Sequence, residues 1–146
     1  MANLTPGQAA AIARGVYLLR KDSVETVLSD NAATNPLGID GLFGQSSRFS
    51  GTSGALLFKP LTGFGFVAAG TGPFAGDLLI ATRGTAKGAD WLTDFNVGMQ
   101  SGPGGRIVHA GFNETWKSYA PELREFLRGR NPTRIHCVGH SLGGAL

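Results

Sequence analysis

IHCVGHSLGGAL, residues 135–146, is the stretch on which the reading of the whole chain turns. Its first part is short and apolar, as a buried strand would be. Its last part, LGGAL, is small and apolar and able to begin a helix. Between them Gly139-His140-Ser141-Leu142-Gly143 fits Gly-x-Ser-x-Gly, the pattern that presents a nucleophilic serine on a sharp strand-to-helix turn. The chemistry explains the geometry. A serine hydroxyl is a poor nucleophile at neutral pH, so it must stand clear of the main fold, beside a base and close to backbone donors that can receive an oxyanion. Glycines at 139 and 143 leave room for the close packing of such a turn, and the amide of Leu142 faces the place where negative charge develops. In a chain with 23 glycines the pattern alone is weak. The plain alternative is a glycine-rich strand exit with Ser141 as an ordinary helix N-cap.

Working outward, RIHCVG from Arg134 reads as the strand that delivers Ser141, with the lone Cys137 as a small buried core residue. Upstream, Trp116, Tyr119, Leu123, Phe126 and Leu127 recur at three-to-four spacing, as a helix packed on a sheet requires. Pro121 interrupts that pattern and predicts a kink or two successive helices. RIVHAGF, from Arg106, reads as a brief strand leading into it, and residues 90–98 could hold a short helix. Three apolar runs, ALLFKP at 55–60, GFGFVAAG at 63–70 and DLLIATRG at 77–84, look like strands, the first two pairing as a hairpin. The Gly-, Ser- and Asn-rich residues 29–54 are expected to form a long irregular connection with no element.

At the amino end Thr5, Pro6 and Gln8 form a helix start, with Thr5 as N-cap and Gln8 completing a capping box. Ile12, Val16 and Leu19 continue at helical spacing to about residue 21, and a second apolar segment follows at about 24–28. Strands alternating with helices point to an α/β layer architecture.

Composition sets the outer bounds. A chain of 146 residues with 42% hydrophobic residues, 16% charged residues and nine phenylalanines is globular, and one domain is the default. The net charge is +3, but the thirteen Lys and Arg are scattered rather than clustered with aromatics, so nucleic acid is not an expected partner. No basic segment followed by a long apolar one opens the chain, so it is expected to be made in the cytoplasm without a cleaved signal peptide. Leaderless secretion stays open. His136 and His140 straddle a strand and a turn rather than one helical face, so no metal is expected, and no cofactor is called for.

Three blocks resemble the class 3 lipases, the α/β-hydrolase family that includes the filamentous-fungal lipases: ATRGTAKGADWLTDF at 81–95, VHAGF at 108–112 and VGHSLGGAL at 138–146. They stand in the family's order. The resemblance implies an α/β-hydrolase-like sheet flanked by helices, and a serine hydrolase of carboxylic esters, a lipase or phospholipase. Ser141 would be its nucleophile. The resemblance further implies an oxyanion hole from Thr85 and the Leu142 amide, Asp94 steadying the oxyanion loop, and Trp91 in a lid. Thr85 follows a strand end, where open α/β sheets place their ligand sites. A half-buried anchor for Trp91 and a helix cap for Asp94 stay open. By the same likeness His140 packs near the site without serving as its base, and His109 has a structural hydrogen-bonding role. His136 reads as a hydrogen-bonded or edge histidine.

In the α/β-hydrolase order the acid and then the histidine follow the serine. Only LGGAL follows Ser141, so both are expected beyond residue 146. Residues 1–146 are accordingly expected to be the amino-terminal part of one hydrolase domain, inactive alone. Expected partners are a lipid or ester substrate and a membrane surface. An immunity protein, as accompanies some bacterial toxins that look like this family, or a second chain completing the fold, is left open. The rival is a non-catalytic hydrolase-like fragment that binds a partner chain through an open sheet edge.

Overall fold

The computed structural model describes residues 2–20, 24–29, 39–52, 61–84 and 98–146. Helix α1, Pro6–Gly15, starts as the sequence predicts: the Gln8 amide donates to the Thr5 hydroxyl at 3.2 Å, and the Thr5 amide donates to Gln8 Oε1 at 2.9 Å. The helix tightens into a 3-10 turn at Val16–Arg20 and is followed by the short α2, Val24–Leu28. Strands β1, Phe43–Thr52, β2, Leu61–Gly70, and β3, Leu78–Thr82, then form an antiparallel meander.

A small ribbon of β4, Met99–Ser101, and β5, Ile107–His109, precedes α3, Ala110–Leu127. Strand β6, Ile135–Gly139, pairs parallel to β3, giving the order β1-β2-β3-β6. The fold is mixed α/β, as expected. Among the described residues no helix is long and apolar enough to cross a membrane.

The two-residue side-chain period of the strands sorts the core into two layers. Phe66 and Ala68 of β2 and Leu79 and Ala81 of β3 face α1 and α2, meeting Ile12, Val16, Leu19 and Val27. Val67 and the partly buried Ile80 face the other way, against Tyr119 and Leu123 of α3. Helices therefore cover both faces of the sheet.

Strand β1 corrects the expectation that residues 29–54 hold no element. Its composition is poor for a strand, yet Phe43 and Phe49 are buried and the polar residues between them are mostly exposed. A bulge between Phe43 and Ser46 shifts the register, so Phe43 enters the α1 layer and Phe49 the α3 layer. Strand β1 is thus the hairpin partner of β2, and residues 55–60 lie outside the described residues. Ser118 Oγ and Glu122 Oε2 of α3 accept from the Thr52 and Ser50 amides at 2.9 and 3.0 Å, covering this sheet edge with polar groups.

One alternative is decided and one further expectation changes. One helix runs through Pro121 where two were an alternative. Pro121 and Lys117 are both exposed, so the Lys117 carbonyl that loses its donor can turn to water. Cys137 is exposed rather than core, because β6 is an edge strand whose Ile135, Cys137 and Gly139 side is uncovered among the described residues. Residues 90–97 lie outside the described residues.

Candidate active site

Parallel pairing sets the site. Thr82 lies opposite Gly139, so the chain leaves β3 through Arg83 and Gly84 directly beside the turn that leaves β6. That turn is a 3-10 turn, Ser141–Gly144, following His140. Ser141 has φ of 55° and is the only non-glycine residue at positive φ among the described residues. For a residue with a Cβ this conformation costs roughly 1–3 kcal/mol and persists only where the surroundings enforce it.

The surroundings here are backbone. A Cβ on Gly139 would lie 2.3 Å from the Gly143 carbonyl oxygen, and one on Gly143 would lie 2.5 Å from the Thr82 carbonyl oxygen. The Thr82 hydroxyl donates to the buried Gly143 carbonyl at 2.6 Å and pins the turn to the end of β3. Ser141 is exposed at its apex. His140 occupies the N-cap position of the turn, with no side-chain cap hydrogen bond. Leu142 is half-buried in the turn's first residues, where amides have no acceptor within the turn itself.

All three histidines have other engagements. His109 caps α3, its Nδ1 accepting from the Gly111 amide at 3.2 Å, which is the structural role expected of it. His136 Nε2 lies 3.0 Å from Asp77 Oδ2, and it sits three residues, or about 10 Å, before Gly139 at the far end of β6. Asp77 is buried and also receives Arg134 Nη2 at 2.7 Å. The hydrogen bonds from His136 and then Arg134 hold its carboxyl below the ordinary carboxylate value. His140 Nδ1 lies 3.0 Å from the Tyr17 hydroxyl.

Of the residues singled out in the sequence, Ser141 and Leu142 stand together at the end of β6. Thr85, Trp91 and Asp94 lie outside the described residues. Tyr17 and Thr82 were missed. Thr82 shows only as a hydroxyl ending an apolar run, and nothing near Tyr17 in the sequence marks its contact with a residue 123 positions away.

An open, mostly apolar cavity of about 550 Å³ lies between the β4–β5 ribbon and α3. Met99, Ile107, Phe112 and Trp116 line it, together with Leu146, and Asn113 contributes a buried side chain.

Against known proteins, the outcome is confined to one segment. Residues 79–146 match the family model of the class 3 lipases. The matched segment is just under half of the chain and begins at Leu79, inside β3. It contains all three blocks on which the resemblance rests. The likeness of this segment is to a family of lipases. No curated protein and no solved structure matches the chain.

Proposed function

We propose that the protein is a serine hydrolase of carboxylic esters, a lipase or phospholipase, built on an α/β-hydrolase sheet. Ser141 attacks the ester carbonyl and forms an acyl-enzyme. The Leu142 amide and Thr85 receive the oxyanion, a contribution of several kcal/mol per donor in sites of this kind. Asp94 steadies the oxyanion loop and Trp91 belongs to a lid. The single observation carrying the reading is the left-handed Ser141, held at the exit of a parallel strand by Gly139 and Gly143.

None of the three histidines of residues 1–146 serves as the base of Ser141, and this stretch alone hydrolyses no ester. Supporting this, His109, His136 and His140 are engaged by Gly111, Asp77 and Tyr17. The apolar cavity beside α3 suits an acyl chain, and a mildly basic protein of net charge +3 suits contact with an anionic lipid surface. The test is Ser141→Ala in the longest natural polypeptide that contains these residues. Hydrolysis of p-nitrophenyl esters falls at least a thousandfold; activity within twofold of wild type would sink the proposal.

A second reading has one observation in its favour. Among the described residues strand β6 is a sheet edge, with Ile135 46% exposed and Cys137 exposed. A non-catalytic domain could seat a second chain or an immunity protein along it. That reading requires stable association by size exclusion together with no labelling by a fluorophosphonate.

A further inference from the structure

We propose that Tyr17 is a positioning residue, which fixes the exit of β3 against the nucleophile turn. The proposal rests on Ser141 being the nucleophile. Tyr17 comes from the 3-10 turn after α1, far outside the matched segment 79–146. Its hydroxyl accepts from the Gly84 amide at 3.1 Å and lies 3.0 Å from His140 Nδ1. Accepting from Gly84 leaves the phenolic proton free to be donated to His140 Nδ1, so one oxygen joins the two segments that flank the site. The ring also meets His140 edge-on, with centroids 5.6 Å apart.

The three parts converge with no slack. A Cβ on Gly84 would lie 2.8 Å from both the Tyr17 hydroxyl and the His140 carbonyl oxygen, and 3.1 Å from Ser141 Cβ. Arg83 and Gly84 are both buried, so the separation between β3's exit and Ser141 is set by packing on one side and by the Tyr17 hydroxyl on the other. A displacement of 1 Å in such a site can cost a hundredfold in rate, so a bridge of this kind acts on turnover rather than on substrate affinity.

Tyr17→Phe in the natural polypeptide removes only the bridging oxygen and keeps the ring. With a soluble p-nitrophenyl ester, kcat is expected to fall about tenfold, with KM within about twofold and the thermal midpoint within a few degrees of wild type. A kcat within twofold of wild type overturns the proposal, as does a loss confined to KM. Should Tyr17→Phe fail to fold, the bridge is read from its other end. His140→Leu lowers kcat about tenfold, whereas His140→Asn, which keeps an acceptor at the δ1 position, loses markedly less. Equal losses in the two His140 variants overturn it. Ser141→Ala run alongside separates the two claims. Activity surviving Ser141→Ala refutes the function, whereas its abolition beside an unaffected Tyr17→Phe refutes the positioning role alone.

Discussion

Ser141 holds a conformation that most residues avoid, and the residues that impose it were legible as letters before they were visible as contacts. Gly139 and Gly143 are demanded by oxygens 2.3 and 2.5 Å from where a Cβ would stand. Gly143→Ala is therefore expected to cost about 1–3 kcal/mol, because the opposing atoms are the Thr82 and Arg83 backbone and have nowhere to go. Urea melts check the stability, and ester hydrolysis in the same variant is expected to drop with it. The Tyr17 bridge was not legible, since local pattern carries no information about a hydroxyl that meets its partner across 123 residues. Asp77 likewise became informative only when the register of β3 and β6 placed His136 and Arg134 on it. Its carboxyl is held below its ordinary value of 3.8 by hydrogen bonds from His136 and Arg134. The stability it contributes is thus complete above that value and is lost as pH falls through the lower, folded value. Asp77→Asn should lower the thermal midpoint at pH 7, and its difference from wild type should shrink as the pH is taken below about 4. A constant difference between pH 7 and pH 3 would show that the carboxylate charge is not what matters.

Among the elements, those whose apolar period was strong were the readable ones. The capped start of α1, strands β2, β3 and β6, and the amphipathic face of α3 all follow from spacing that burial alone can explain. Strand β1 escaped because FGQSSRFSGT carries only two large apolar residues, and a bulge sends them to opposite faces. Cys137 misled for a related reason: an apolar run fits a central strand, but among the described residues β6 is an edge. On the α3 side the weight rests on Tyr119, buried, stacked on Phe49 at 5.0 Å and edge-on to Trp116 at 5.3 Å. The same burial raises its phenol above the ordinary value. Tyr119→Ala is expected to cost about 3–5 kcal/mol by denaturant melt, whereas Glu122→Ala at the β1 edge should cost about 1 kcal/mol or less.

At the scale of the molecule, the chain builds a sheet with helices on both faces and brings the ends of β3 and β6 side by side at one rim. The α1 layer and Tyr17 precede the matched segment and still shape the site, so the site belongs to the fold as a whole rather than to the motif. The direct test of the central claim is intact-mass spectrometry of the natural polypeptide after exposure to a fluorophosphonate. One phosphonyl adduct, located by peptide mapping at Ser141 and lost in Ser141→Ala, is the result expected. A protein that stays unmodified, or is modified equally in Ser141→Ala, would contradict it.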